Sequence, residues 1–191
     1  MFDIEPPSSK ETLAPTLSRL HDEIVTYLEA MPTQQFVTPQ GEAWSPAGHL
    51  RHLVKSVKAV AYGMGMPKLA LALRFGVGFG GSRSFGEIRD VYLQAIDDGR
   101  ARATGRYASS SEIPDGTTPE AWRASLLDRW VQAGEGLAKA LGRWSEGALD
   151  RHRLPHPILG KMTVREMLFF TVYHNAHHAR RIHERAGGVA D

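Results

Sequence analysis

Apolar residues in this chain recur three and four apart over long stretches, and each stretch opens on a helix-capping pattern. No other feature of the sequence limits the fold as much. Leu13, Leu17, Leu20, Ile24 and Leu28 follow the helical period, which predicts a helix from about residue 10 to Met31. Pro15 is expected in its first turn, where a missing N–H is tolerated. "WSPAGHLRHL" offers Ser45 as N-cap and Pro46 at the first helical position. Leu50, Leu53, Val54, Val57, Ala61 and Met64 then form one stripe, so the second helix should run to about Met64. "SFGE" (84–87) reads as a capping box before a shorter helix ending near Gly99. "TTPEAW" supplies Thr118 as N-cap and Pro119 behind it, opening a long helix towards Trp144. "TVRE" (163–166) is a further capping box, and the last helix should reach about Ala186, stopped by Gly187 and Gly188.

The segments between (32–43, 76–82, 109–117 and 151–161) are rich in Gly, Ser and Pro and read as connections. "LALALRF" (69–75) alternates like a strand but is built from helix formers. Four long amphipathic helices, one shorter helix and long connections predict an all-α four-helix bundle, with residues 1–191 as one domain.

The chain has no cysteine, which removes disulfides, cysteine nucleophiles and thiolate metal sites. A metal here must be held by His, Asp or Glu. The formal charge of +2 makes no case for nucleic acid, so no nucleic-acid partner is expected. "MFDIEPPSSK" lacks a basic region followed by an apolar run, and no apolar stretch reaches the roughly 18 residues of a membrane span. A cytoplasmic protein with no membrane partner is the expectation. "GVGFGG" (76–81) literally matches G-x-G-x-x-G, but no βαβ units surround it. It reads as a flexible connection, or at most as a mobile lid.

Nine histidines carry most of the remaining chemistry, and four of them fall in "YHNAHHARRIH" (173–183). His174 and His178 are four apart and fall within the apolar stripe of the last helix, so both should face inward. Two buried imidazoles one turn apart must be satisfied, either by a shared divalent ion or by hydrogen bonds at a wet bundle end. His177 and His183 fall outside the stripe and are expected in solvent. "HLRH" offers His49 and His52 as third ligands. At about 100° per residue, His49 lies about 70° from the stripe's centre and His52 about 130°. However, Ser45, Gly48, His52, Ser56, Ala59 and Gly63 form a face of mostly small residues that another helix could approach, so spacing leaves the choice open. His152 and His156 lie in a proline-bearing stretch that cannot be helical and read as loop residues, with His156 a candidate for contact behind the ligands. His21 reads as structural or exposed. No G-x-S-x-G, Ser/His/Asp arrangement or H-E-x-x-H is present.

"WSPAGHLRHL" and "YHNAHHARRI", placed on the second and last long helices, resemble the DinB-like (DinB/YfiT) superfamily. In that family a Trp-Ser/Thr pair caps the second helix, and a histidine eight residues after the Trp is a metal ligand. Here that histidine is His52, followed by Leu53. The family's H-x-x-x-H falls on His174 and His178, and "LPHPILGKMTVREMLFF" is similar to its run into the last helix. The resemblance spans about Trp44 to Ile182. It implies an up-down-down-up bundle, a three-histidine divalent-metal site of zinc or nickel with an open position, and a homodimer. It also implies, for some members, thiol S-transferase activity with a low-molecular-weight thiol, or hydrolase activity.

The expectation is therefore a metal-dependent enzyme acting on a small-molecule substrate, with His52, His174 and His178 as ligands. His49, His156 and Asn175 are candidates for the surrounding shell. The rival is a non-catalytic, metal-dependent, stress-related binding or dimerisation module. No general base is visible beside the three histidines, which favours thiolate chemistry.

Overall fold

The computed structural model describes residues 1–191 except 40, 42, 102 and 188–191. The four apolar stripes become α1 (Lys10–Ala30), α3 (Pro46–Gly65), α6 (Pro119–Gly142) and α8 (Val164–Arg185). Shorter helices stand between them: α2 (Thr33–Val37), α4 (Lys68–Phe75), α5 (Phe85–Asp97) and α7 (Glu146–Arg151). The sequence-predicted caps form. Ser45 accepts the N–H of Gly48 at 3.1 Å, Thr118 accepts that of Ala121 at 3.2 Å, and Ser84/Glu87 and Thr163/Glu166 close capping boxes. "LALALRF" is helical within α4, as its composition predicts.

α1 and α3 each pack against both α6 and α8. Contacts at the helix ends fix the directions. Lys10, at the start of α1, bonds the carbonyl of Trp144 beyond the end of α6, while Arg123 near the start of α6 bonds Leu28 and Glu29 at the end of α1. α1 and α6 are therefore antiparallel. Arg51 stacks on Trp122 at the starts of α3 and α6, and Trp144 donates to the Met64 carbonyl at their ends, so those two run parallel. His52 and His49, early in α3, meet His174 and His178, late in α8. The bundle is up-down-down-up. A parallel α3/α6 pair needs a long return, and residues 66–118 supply it, with α5 laid on the outside of α8.

Some local expectations change. Pro15 is the sixth residue of α1 rather than in its first turn; it lies on an exposed face, where water can serve the Glu11 carbonyl left without its helical partner. Residues 32–43 include α2, and 151–161 form a hairpin rather than a loop. Its strands are β1 (Arg153–His156) and β2 (Gly160–Thr163), with Leu154 opposite Met162 and both buried. Two prolines hold β1 extended, and Gly160 takes φ +76° to close the turn. The glycine-rich 76–82 segment opens no helix and is pinned by Gly78 N–H to the Arg151 carbonyl at 2.8 Å. Gly187 takes φ +87° after α8, whereas Gly188 lies outside the described residues.

Between α1 and α6 the His21 ring stacks on Trp130 (4.8 Å, 16°) and bonds its carbonyl at 3.0 Å. His21 is thus structural. A Cβ on Gly134 would lie 2.3 Å from that ring. Alanine normally gains roughly 0.5–1 kcal/mol over a mid-helix glycine. Here the clash dominates. Gly134→Ala is expected to lower unfolding free energy by about 1–3 kcal/mol in urea titrations, with partial recovery in His21→Ala/Gly134→Ala. A stabilised Gly134→Ala would contradict the packing described.

Candidate metal centre

Because α3 and α8 run antiparallel, the capped start of one meets the last turns of the other. His52 Nε2 lies 3.1 Å from His174 Nε2, and one ring nitrogen from each of His52, His174 and His178 lies within 4.8 Å of the others. The His52 ring has a defined tautomer: its Nδ1–H donates to the Tyr107 carbonyl at 3.0 Å, which leaves the Nε2 lone pair facing His174. Tyr107 belongs to a 3-10 turn (Gly105–Tyr107) on a strap laid across α3. Ser109 Oγ donates to the Gly48 carbonyl at 2.7 Å, Ser45 N–H to Ser111 Oγ at 2.8 Å, and Lys55 Nζ to the Ala108 carbonyl at 2.5 Å. Gly48 permits this approach, since a Cβ there would sit 3.0 Å from Trp44 Cβ and 3.1 Å from Ser111 Oγ.

The strap explains why helical periodicity could not place His52. The face of small residues on α3 is covered at His52 by the strap, and further along by Leu154 of β1, which a Cβ on Gly63 would meet at 2.9 Å. The covering carbonyl can come from any residue type, so sequence carries no signal for Tyr107. Trp44 closes another side, 5.3 Å from His52 and nearly parallel to His178 at 6.4 Å. Phe170 stacks on His174 at 5.0 Å.

Burial pushes the pKa values of His52, His174 and His178 down, so all three imidazoles are neutral near pH 7. His49 Nδ1 lies 2.8 Å from His178 Nδ1, and its own pKa is lowered to about 3, first by burial and then by the Arg185 charge. Nδ1 of His174 is buried without a hydrogen-bond partner. Asn175 is buried but does not line the cleft described next, and its Oδ1 also lacks a partner.

His52, His174 and His178 stand on the wall of a cleft of 1320 Å3, built mainly by α3, the strap, β1 and α8. Such a volume exceeds the common range for small-ligand pockets, about 300–1000 Å3. His156 lines it from the hairpin, 4.3 Å from Phe170, with its pKa lowered to about 4 by burial. His177 lines it too, edge-on to Tyr92 at 6.1 Å, with its pKa lowered to about 4, chiefly by burial. His183 is half-buried against Tyr27. Neither of these two is the solvated residue that the helical stripe predicts, because α5 and α1 cover the flanks of α8. Among the described residues, none from 76–82 lines the cleft, so that segment is no lid over it.

A model of the DinB superfamily matches residues 16–182. The crystal structure of the colibactin self-resistance protein ClbS in complex with a dsDNA is similar at a TM-score of 0.55. It has 17% identity over 96% of this chain and 99% of that one, a likeness of fold alone. No curated protein matches the chain. The ClbS complex corrects the partner expectation: a fold of this kind is compatible with DNA, so the low net charge was no ground for excluding nucleic acid. Net charge is a sum over the surface, whereas binding depends on local charge. Here Lys55, Lys58, Arg74 and Arg100 line the cleft, with no carboxylate among the described lining residues.

The depressed histidines set the direction of the pH dependence. His49, His156 and His177 stay neutral in the fold down to about 3, 4 and 4, whereas an unfolded histidine takes its proton near 6.5. Between these values the unfolded state binds more protons, so stability is complete above about 6.5 and is lost as pH falls. Urea unfolding in chelator should show unfolding free energy dropping from pH 7.5 to 5, by at most about 1.4 kcal/mol per pH unit for each group. His156→Gln should flatten part of that slope. A pH-independent stability would contradict neutral burial of these rings.

Proposed function

Because this chain belongs to the DinB superfamily, we propose that His52, His174 and His178 hold a divalent ion, zinc or nickel. We further propose that the protein, read as one domain over 1–191, is a metal-dependent enzyme of the thiol S-transferase or hydrolase type. One observation carries the reading: three neutral imidazoles converge within 4.8 Å on the wall of an open cleft. Two nitrogens about 2.1 Å from one ion at the tetrahedral angle lie about 3.4 Å apart, close to the 3.1 Å between His52 and His174. The donor set also fits, being all imidazole with no competing carboxylate among the described residues that line the site.

When bound, such an ion lowers the pKa of a thiol or water enough to make a nucleophile available near neutral pH. The chain's own residues do the rest. The Tyr107 carbonyl orients His52, His49 pairs with His178 through their Nδ1 atoms, and Phe170 and Trp44 hold the rings of His174 and His178 in place. No carboxylate of a described residue lines the cleft to take a proton from water, so the more acidic thiol is the better nucleophile here. A low-molecular-weight thiol is therefore the proposed co-substrate.

A second reading, metal-dependent binding without turnover, draws support from the cations that line the cleft and from the dsDNA complex of ClbS. Turnover of an electrophile panel in the presence of thiol distinguishes the enzyme from the binding protein.

Metal analysis tests the site itself. The purified protein should carry about one divalent ion per chain, and His52→Ala, His174→Ala and His178→Ala should each lose it. His49→Ala should keep the ion with roughly ten- to a hundredfold weaker affinity. Chelation should lower the melting temperature, since an ion bound only by the folded state stabilises it. Full occupancy in His52→Ala would remove that residue from the ligand set.

A further inference from the structure

The charged side chains among the described cleft residues are all cations, and they are not equally engaged. Lys55 is tied to the Ala108 carbonyl and Arg100 is paired with Asp98 at 2.7 Å. Lys58 and Arg74 are exposed at the cleft, and no carboxylate of a described residue lies within ion-pair distance of either. Cations lining a cleft with low-dielectric walls focus the potential and raise the local concentration of anions. The walls here include Tyr62, Phe75 and Phe170.

A second observation is independent of charge. His156 Nδ1 accepts the backbone N–H groups of Ile158 at 3.2 Å and Leu159 at 3.0 Å. In the neutral ring the proton must then be on Nε2. That nitrogen has no partner among the described residues, yet it is not among the enclosed unpartnered atoms. It opens onto the cleft that His156 lines. The turn of the hairpin thus holds a donor of fixed tautomer where only a ligand or solvent can accept from it.

We propose that this cleft takes a ligand bearing an oxyanion, phosphate or carboxylate, with Lys58 and Arg74 supplying charge and His156 Nε2–H supplying a neutral donor. The proposal rests on the cleft being the functional site, and it names the class of group presented beside the three histidines. A phosphate can come from a free monophosphate or from a nucleic-acid backbone. The shared recognition is the same, and probes separate the two sources.

Calorimetric titration of the purified full chain with inorganic phosphate, malonate, AMP and a short DNA oligonucleotide tests it. Saturable binding of at least one is expected at about 20 mM salt, weakening at about 200 mM. K58E/R74E should weaken that binding at least tenfold, while its circular dichroism and metal content stay as in the parent. His156→Phe should weaken it about fivefold and leave the salt dependence unchanged, because the lost donor is neutral. Tight binding of the oligonucleotide alone assigns the phosphate to nucleic acid, and binding of AMP as tight as that of the oligonucleotide assigns it to a free anion. Anion affinity retained in His174→Ala supports an anion site separate from the proposed ion, so failure of the metal reading is seen in metal content and failure of this one in affinity. No saturable binding of any probe at low salt, or an unchanged dissociation constant in K58E/R74E, overturns the proposal.

Discussion

The antiparallel junction of α3 and α8 is the contact on which the rest of the structure depends. It buries imidazoles from two helices against one another, His52 on His174 and His49 on His178. Neutral rings brought together with their lone pairs converging are stable only if each tautomer is held and the remaining nitrogens find partners. At His52 the chain meets that condition with backbone outside the bundle. Parallel α3 and α6 require a long crossover, and part of that crossover returns across α3 to place the Tyr107 carbonyl on His52. The same segment walls the cleft. The connection that the topology demands therefore also orients a ring and shapes access to it.

How much of this was legible in the sequence follows from what kind of information each part needs. Caps and stripes are local, so Ser45, Ser84, Thr118 and Thr163 mark their helices correctly, and the histidine pair on α8 faces inward as its four-residue spacing requires. The hairpin at 153–163 was not legible, because two prolines obscure a pattern only four residues long on each strand. His52 sits at an angle that the stripe on α3 does not favour. It is buried by a strap distant in sequence, and a period computed along one helix holds no trace of such a cover. His177 and His183 illustrate the same limit from the other side. They lie off the apolar stripe, yet Tyr92 of α5 and Tyr27 of α1 pack against them. A stripe identifies the face turned to the bundle core and says nothing of elements laid on the outside.

The charge balance misled for a related reason. A total of +2 conceals a separation along α8. At its N-terminal end, Glu166 receives the Arg83 backbone and guanidinium, and Arg165 pairs with Asp150 and Glu146. These carboxylates are engaged in capping and in fastening α5 and α7 to the bundle, where a negative group also suits the helix dipole. Towards the other end stand neutral histidines and a cleft whose charged described lining residues are all cations.

That separation has a chemical consequence. A carboxylate on the cleft wall would pair with Lys58 or Arg74 and cancel the field that an anion would meet. Beside the three imidazoles it would also compete as a hard oxygen ligand and raise the histidine pKa values, favouring imidazolium over the neutral form. Drawing acidic groups into the caps and ion pairs at the start of α8 keeps them off the described cleft wall. The histidines stay neutral there because burial, unopposed by a nearby anion, sets their protonation. The capping box that starts the helix and the imidazoles further along it are thus parts of one arrangement of charge, with acids used for folding at the start of the helix and absent from the described cleft wall.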